Sequence, residues 1–261
     1  MQLKISMIHP SAIIHSGAEL AKGVQVGPYA VIGEGVQLGE DCVLHNGVTM
    51  HGPALIGARN TFFTGACIGG LSQDLKYGGE PTFLEIGDDN VFREYVTVNR
   101  GTLPGSKTVI GNNNLFLAYC HIAHDCTVGH HVIFSNNGTL AGHVIVEDHV
   151  VLGGLTAVHQ FCRLGQHAIT GGCCKIVQDV PPFMIVDGNP AAVRGVNVVG
   201  LQRHGWEEAA IRPLKEAYKA LFMRDQNLSG ALTELATLTD VSPAIADLVS
   251  FIQSSQRGIV R

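Results

Sequence analysis

The chain is poor in charge and in aromatic rings. Charged residues make up 15% and aromatics 6% of its 261 residues, with one tryptophan. A core must therefore be built mostly from Val, Ile, Leu and Ala. The net charge is −5 and no long run of one sign occurs, which argues against a general nucleic-acid binder. No stretch of 18 apolar residues exists, so no segment is expected to span a membrane. The N-terminal MQLKISMIHPSAI lacks the long apolar centre of a secretory leader. The seven cysteines form no CxxC pair, and an odd number argues against a full disulfide framework. A reducing cytoplasm is the simplest location.

What is present is a six-residue beat. Apolar residues recur from Ile8 through Ile14, Leu20, Val26 and onward to Ile68. They return at Ile86, Phe92 and Val98, and run again from Ile110 to Ile176. Of these 26 positions only Thr170 is not apolar. The next residue is often glycine, as at Gly27, Gly39, Gly57, Gly111 and Gly153, read here as freedom for a turn. Four residues after the beat comes a small or β-branched residue. Five cysteines, Cys42, Cys120, Cys126, Cys162 and Cys174, occupy that place, where cysteine serves as a small hydrophobe. Six is no helical period. A short strand plus a tight turn explains it, and hexapeptide repeats signal a parallel β-helix.

Two inserts interrupt the beat, near 71–83 (LSQDLKYGGEPTF) and 101–107 (GTLPGSK). Both are rich in Gly and Pro and are expected to leave the prism as loops able to carry binding residues. The first gathers Gln73, Asp74, Lys76 and Tyr77. The repeat region is expected to span 1–190. From 191 to 261 the pattern turns helical, with helices expected over Trp206–Met223, Leu228–Leu238 and Pro243–Ile252, and Pro213 marking a kink or a start. Such a tail would cap the exposed end of the stack.

If three hexads make one coil, residues 18 apart stack. His124 then lies under Gly142, beside His143, and Gly142 under Gln160, beside His159; His121 is near the same corner. Three readings compete for this ladder: solvent-facing polarity, a zinc site with an open position, and a general base. Asp125 could orient an imidazole, although strand neighbours usually face opposite ways. His130, His131, His149 and His167 are read as surface residues outside any such ladder.

The hexads, the insert SQDLKYGGEPT, and the runs HIAHDCTVGH, TLAGHV, GGLTAVHQF, VQDVPP and GVNVVGLQRHG resemble the UDP-N-acetylglucosamine O-acyltransferases of lipid A biosynthesis over essentially the whole chain. The resemblance implies a left-handed parallel β-helix with a C-terminal α-helical domain. It implies transfer of an (R)-3-hydroxyacyl group from acyl carrier protein to the 3-hydroxyl of UDP-N-acetylglucosamine, by a homotrimer needing no metal or cofactor. His124 would be the general base and Gly142 an N–H donor to the oxyanion. Gln73, Asp74, Lys76, His121, His143, His159, Gln160, Asn197 and Arg203 would hold the nucleotide sugar or acyl chain. Ile169 and Gly172 would set acyl length. Asn99, Val199 and His204 depart from the family pattern, where histidine, glutamate and arginine are common. Two rivals are the later N-acyltransferase of the same pathway, whose extra N-terminal domain is not expected because the hexads begin at Ile8, and a zinc enzyme of the carbonic anhydrase type.

Overall fold

In the computed structural model, residues 7–224, 227–239 and 242–261 are described. The chain winds as a left-handed parallel β-helix of triangular section, its strands stacked into three faces of nine, eight and ten strands. Face 1 begins at Ile13–Ile14, face 2 at Glu19–Leu20 and face 3 at Gln25–Val26. The register over the last coils is 18 residues: His121 pairs with Thr139, Thr139 with Ala157 and Ala157 with Lys175. The inserts lengthen two coils without breaking it, since Cys67 pairs with Thr97 and Thr97 with His121.

Every beat residue from Val26 to Ile176 is buried, Thr170 included. On face 3 the beat lines up Phe62, Phe92, Phe116 and Phe134 at centroid separations of 4.9, 5.0 and 5.2 Å, the first two pairs stacked and the last edge-to-face. Thr170 is reconciled with the core by hydrogen bonds: its hydroxyl accepts from the Gly153 N–H at 2.8 Å and lies 3.3 Å from the Thr156 hydroxyl. The five corner cysteines are buried and unpaired. At the edge between faces 2 and 3 the small position holds Asn60, Asn90 and Asn114 instead. Asn90 donates to Asn60 Oδ1 at 3.0 Å, and the Asn114 N–H to Asn90 Oδ1 at 3.0 Å. These amides satisfy buried carbonyls where the inserts lengthen the coils.

Most glycines after the beat do a different job from the one expected; Gly69, at φ 77°, is an exception. Among Gly27, Gly39, Gly57, Gly111 and Gly153 none has positive φ. The left-handed residue comes two places later and is usually not glycine: Asp89, Asn113, Asp125, His143, His149 and Phe161 are among them. A Cβ at Gly39 would sit 2.5 Å from the Gly57 carbonyl carbon, and one at Gly111 2.5 Å from the Gly129 oxygen. Glycine is needed there because the next coil leaves no room.

The coils end in an antiparallel pair, Met184–Asp187 with Ala192–Val196. Four helices follow: α1 (Val198–Arg203), α2 (Glu208–Tyr218, continued by a π-turn at Lys219–Met223), α3 (Leu228–Ala236) and α4 (Pro243–Gln253). The short α1 was not anticipated; Asn197 caps it by accepting from the Gly200 N–H at 3.1 Å. Pro213 neither starts nor ends α2 but sits inside it. The helices seat on the last coils: Arg163 lies over the Phe251 ring at 4.3 Å, and Asp179 bridges to Ile259. No helix among the described residues is long and apolar enough to cross a membrane.

Candidate functional site

Both inserts leave the prism at one place, the edge between faces 1 and 2. Each connects a face 1 strand (Cys67–Gly70, Thr97–Asn99) to a face 2 strand (Phe83–Ile86, Lys107–Ile110). In the coils beyond, the same edge carries His124–Asp125, then Gly142–His143, then His159, Gln160 and Phe161. The ladder expected from the 18-residue coil is present.

His124 is 9% exposed, and its Nδ1 is held from two sides. Asp125 Oδ2 and Thr102 Oγ1 each lie 2.8 Å from it. A carboxylate can only accept, so the proton of a neutral His124 sits on Nδ1 and the Nε2 lone pair is free. Asp125 reaches back to its neighbour because the corner places it at φ 60°, outside strand geometry. Burial alone would raise its carboxyl pKa. Hydrogen bonds from His124, Ser106 and Thr102 outweigh burial and hold it below the ordinary range, so it stays ionised. Thr102 continues the chain to Ser72 at 2.7 Å, and Ser72 accepts from the Asp74 N–H at 3.2 Å. The two inserts are thus tied to each other and to His124.

Gly142 packs on the free side of the ring. A Cβ there would fall on His124 Cε1 and Nε2. Among the described residues no protein acceptor takes the Gly142 N–H. His143 stands edge-on to His124 at 5.2 Å and stacks flat on Phe161 at 4.6 Å. His121, on the adjoining strand, bonds Thr97 Oγ1 at 2.7 Å; burial and then the nearby His124 push its pKa down. His159 and Gln160 are exposed, with Arg257 reaching from the C-terminus to 3.4 Å from His159 Nδ1. Next to His143 a groove of about 680 Å³ runs past Ile145 and Phe161 to Arg163 and Arg257. On the first insert, Gln73 and Lys76 are exposed, and Asp74 Oδ1 accepts from the Lys76 N–H at 2.9 Å.

The other candidates lie elsewhere in a single chain. Asn197 is buried against the edge between faces 2 and 3, donating to the His167 carbonyl at 2.9 Å, and Arg203 is exposed at the end of α1. Ile169 is on face 3 and Gly172 at the edge between faces 3 and 1, where a Cβ would meet only the Gly154 oxygen at 3.4 Å. Asn99 Nδ2 is spent on the Leu71 carbonyl at 2.9 Å.

His131, His149 and His167 are not unrelated surface residues. They are 18 apart and stack at 4.9 and 4.5 Å on the 2/3 edge, with His167 buried. His130 is exposed, yet its Nδ1 accepts from the Asn112 N–H at 2.9 Å. Thr102, Ser106 and Ser72 were not singled out at all. The loss of the beat locates their loops, but no periodicity says which hydroxyl returns to the edge.

The donor atoms of His124, Asp125 and His143 all lie within 4.8 Å of one another, a set that could also hold a metal ion. The same is true of His149, His167 and His204.

Comparison with known proteins bears on the choice. A family profile described as UDP N-acetylglucosamine O-acyltransferase, domain 2, matches residues 179–260, and one for bacterial transferase hexapeptide repeats matches 17–52 and 107–142. Proteins named acyl-(acyl-carrier-protein)–UDP-N-acetylglucosamine O-acyltransferase are 48% identical in Verminephrobacter eiseniae and 47% in Stutzerimonas stutzeri, each alignment covering 98% of this chain and 100% of the relative. The crystal structure of the UDP-N-acetylglucosamine O-acyltransferase of Moraxella catarrhalis RH4 superposes with a TM-score of 0.94 at 42% identity, and that of Bacteroides fragilis 9343 with 0.95 at 38%. Both comparisons cover 98% of this chain and all of the other.

Proposed function

The chain belongs to the UDP-N-acetylglucosamine O-acyltransferase family, and from that premise we propose that the edge between faces 1 and 2 transfers a 3-hydroxyacyl group from acyl carrier protein to the 3-hydroxyl of UDP-N-acetylglucosamine. His124 is the base. Its Nε2 takes the proton of the sugar hydroxyl as that oxygen attacks the thioester carbonyl. A carbon–oxygen bond forms, and the carbonyl electrons move onto an oxyanion. Gly142 packs beside Nε2 and its N–H donates to that oxyanion, where one aimed donor is worth roughly 3–4 kcal/mol. Asp125 stabilises the imidazolium formed in this step. Collapse of the intermediate breaks the carbon–sulfur bond, and the proton passes from His124 to the departing thiolate.

The observation that carries this reading is the pairing of His124 Nδ1 with Asp125, which leaves Nε2 unprotonated on the open side of the edge. Gln73, Asp74, Lys76, His121, His143, His159 and Gln160, which the first insert and the same edge carry, hold the acceptor and the acyl chain in this reading. Asn197 and Arg203 serve the site of a neighbouring copy in a homotrimer, since within one chain they sit on the edge between faces 2 and 3 or beyond it. Ile169 and Gly172 limit the acyl chain in the same shared manner. Cytoplasmic location suits the soluble carrier donor.

The test is a transfer assay with UDP-N-acetylglucosamine and a panel of 3-hydroxyacyl carrier proteins of different lengths. H124A is expected to lose most turnover while its elution volume on size exclusion stays that of the wild type. Near-normal turnover in H124A defeats the assignment of the base. A requirement for stoichiometric zinc, seen by elemental analysis, would favour the metal reading of His124, Asp125 and His143.

A further inference from the structure

The edge between faces 2 and 3 holds a second histidine cluster that the acyl-transfer reading does not use. His149 and His167 are parallel within 3° at 4.5 Å. His204, the residue that follows α1, stands across both at 4.7 and 5.1 Å, tilted by 68° and 71°. Trp206 and Phe183 close the far side of His167 at 5.6 and 6.0 Å. We propose that His149, His167 and His204 form a binding site for a divalent transition-metal ion of the zinc class, which ties the first helix of the cap to two coils of the prism.

Three observations carry this. First, one nitrogen of each ring lies within 4.8 Å of the others. A tetrahedral ion with bonds of about 2.0–2.1 Å wants nitrogens about 3.4 Å apart and ring planes that meet at the ion, so the parallel His149 and His167 rings must tilt toward a common point as well as close. Exposed His204 and half-buried His149 have the freedom to do so. Second, His204 is already oriented. Its Nδ1 lies 2.8 Å from the Gly200 carbonyl oxygen, which can only accept, so Nδ1 carries the proton and Nε2 is the free ligand atom. Metal-bound histidines are commonly fixed in this way. Third, His149 Nδ1 is buried and has no hydrogen-bond partner among the described residues. An orphaned buried nitrogen is costly, and coordination at this ring supplies its missing partner.

The charge state agrees. A ligand imidazole must be neutral, and the burial of His167 and the partial burial of His149 favour that form. The nearby carboxylate of Asp148 pulls the other way, and its Oδ1 is engaged by the His130 N–H at 2.8 Å. His131 stacks beneath His149 at 4.9 Å but lies outside the three-ring set. Three imidazoles and a water make the fourfold shell that zinc, cobalt and nickel accept.

The test uses the full chain stripped with EDTA and titrated with Co²⁺, whose visible absorption reports tetrahedral nitrogen ligation. One equivalent is expected to bind, to be displaced by Zn²⁺, and to raise the unfolding temperature. H204Q, an exposed position, and H149Q are each expected to weaken binding at least tenfold and abolish the thermal shift. H131Q and H143Q are expected to leave both intact. No cobalt band, or a band lost in H143Q and kept in H204Q, overturns the proposal; the latter would place the ion at the acyl-transfer edge instead.

Discussion

Asp125 Oδ2 lies 2.8 Å from Nδ1 of His124, its own chain neighbour. Adjacent residues on a strand point to opposite faces. The left-handed corner at Asp125 turns its carboxylate back onto the ring, so the base and its orienting group come from one dipeptide.

This fixes the outcome of an isosteric change. D125N keeps the shape but replaces the obligatory acceptor with an amide, so Nδ1 no longer has to carry the proton. Turnover is expected to fall on the order of 10²-fold, and H124A by roughly 10²–10⁴, the range a placed base contributes. Steady-state kinetics on both variants decides it. D125N matching wild type would remove Asp125 from the mechanism.

Gly142 is a sharper probe of the same geometry. In G142A the new methyl must occupy the space of His124 Cε1 and Nε2. The ring has to swing away from both its substrate and its donor. Turnover is expected to drop by about 10²–10³, comparable to losing an oxyanion donor. KM for the sugar is expected to change less than kcat.

The division of the site between copies can be tested by mixing. H124A and R203A are each expected to be impaired alone. If the proposed homotrimer forms, co-expression yields mixed assemblies in which some edges keep both His124 and a neighbour's Arg203. A partial return of activity is expected, and its absence would place Arg203 in no shared site.

The two classes of glycine separate by substitution. Gly47 has φ 67° and open space around a new Cβ, so G47N is expected to cost under about 0.5 kcal/mol because asparagine tolerates that region. Gly39 has an ordinary φ but abuts the next coil, so G39A is expected to cost about 3 kcal/mol through overpacking. Chemical denaturation of both variants measures the contrast.

The cysteines give a reading of the core. Burial pushes the Cys120 and Cys162 thiols up to about 11 and Cys126 to about 12. The thiolate is the reactive form, and at pH 8 it is scarce at these sites. A disulfide reagent is expected to react quickly with exposed Cys173 and more slowly with half-buried Cys67. The five corner cysteines should react only on unfolding. Fast reaction of a corner cysteine in the native protein would contradict the packing.

Much of the architecture was legible because a β-helix converts sequence distance into spatial distance. The apolar beat placed Phe116 and Phe134 in one column, and the 18-residue coil put Gly142 over His124. The same arithmetic applied to His131, His149 and His167, where it was overlooked in favour of the HIAHDC run. Other features had no such rule. Thr102 reaches His124 from an insert with no period. The glycine after the beat looked like a turn residue, while the turn belongs to a residue two places later.

The sequence determined the coil through two signals: a repeat of six leaves one interior position per strand, and the family resemblance implies three hexads to a turn, which gathers the histidines on one edge. Tertiary structure decided the tautomer of His124 and the meeting of His204 with His149 and His167. Those contacts join loop to coil and cap to coil, and their geometry depends on where a non-repeating segment returns, which no spacing encodes.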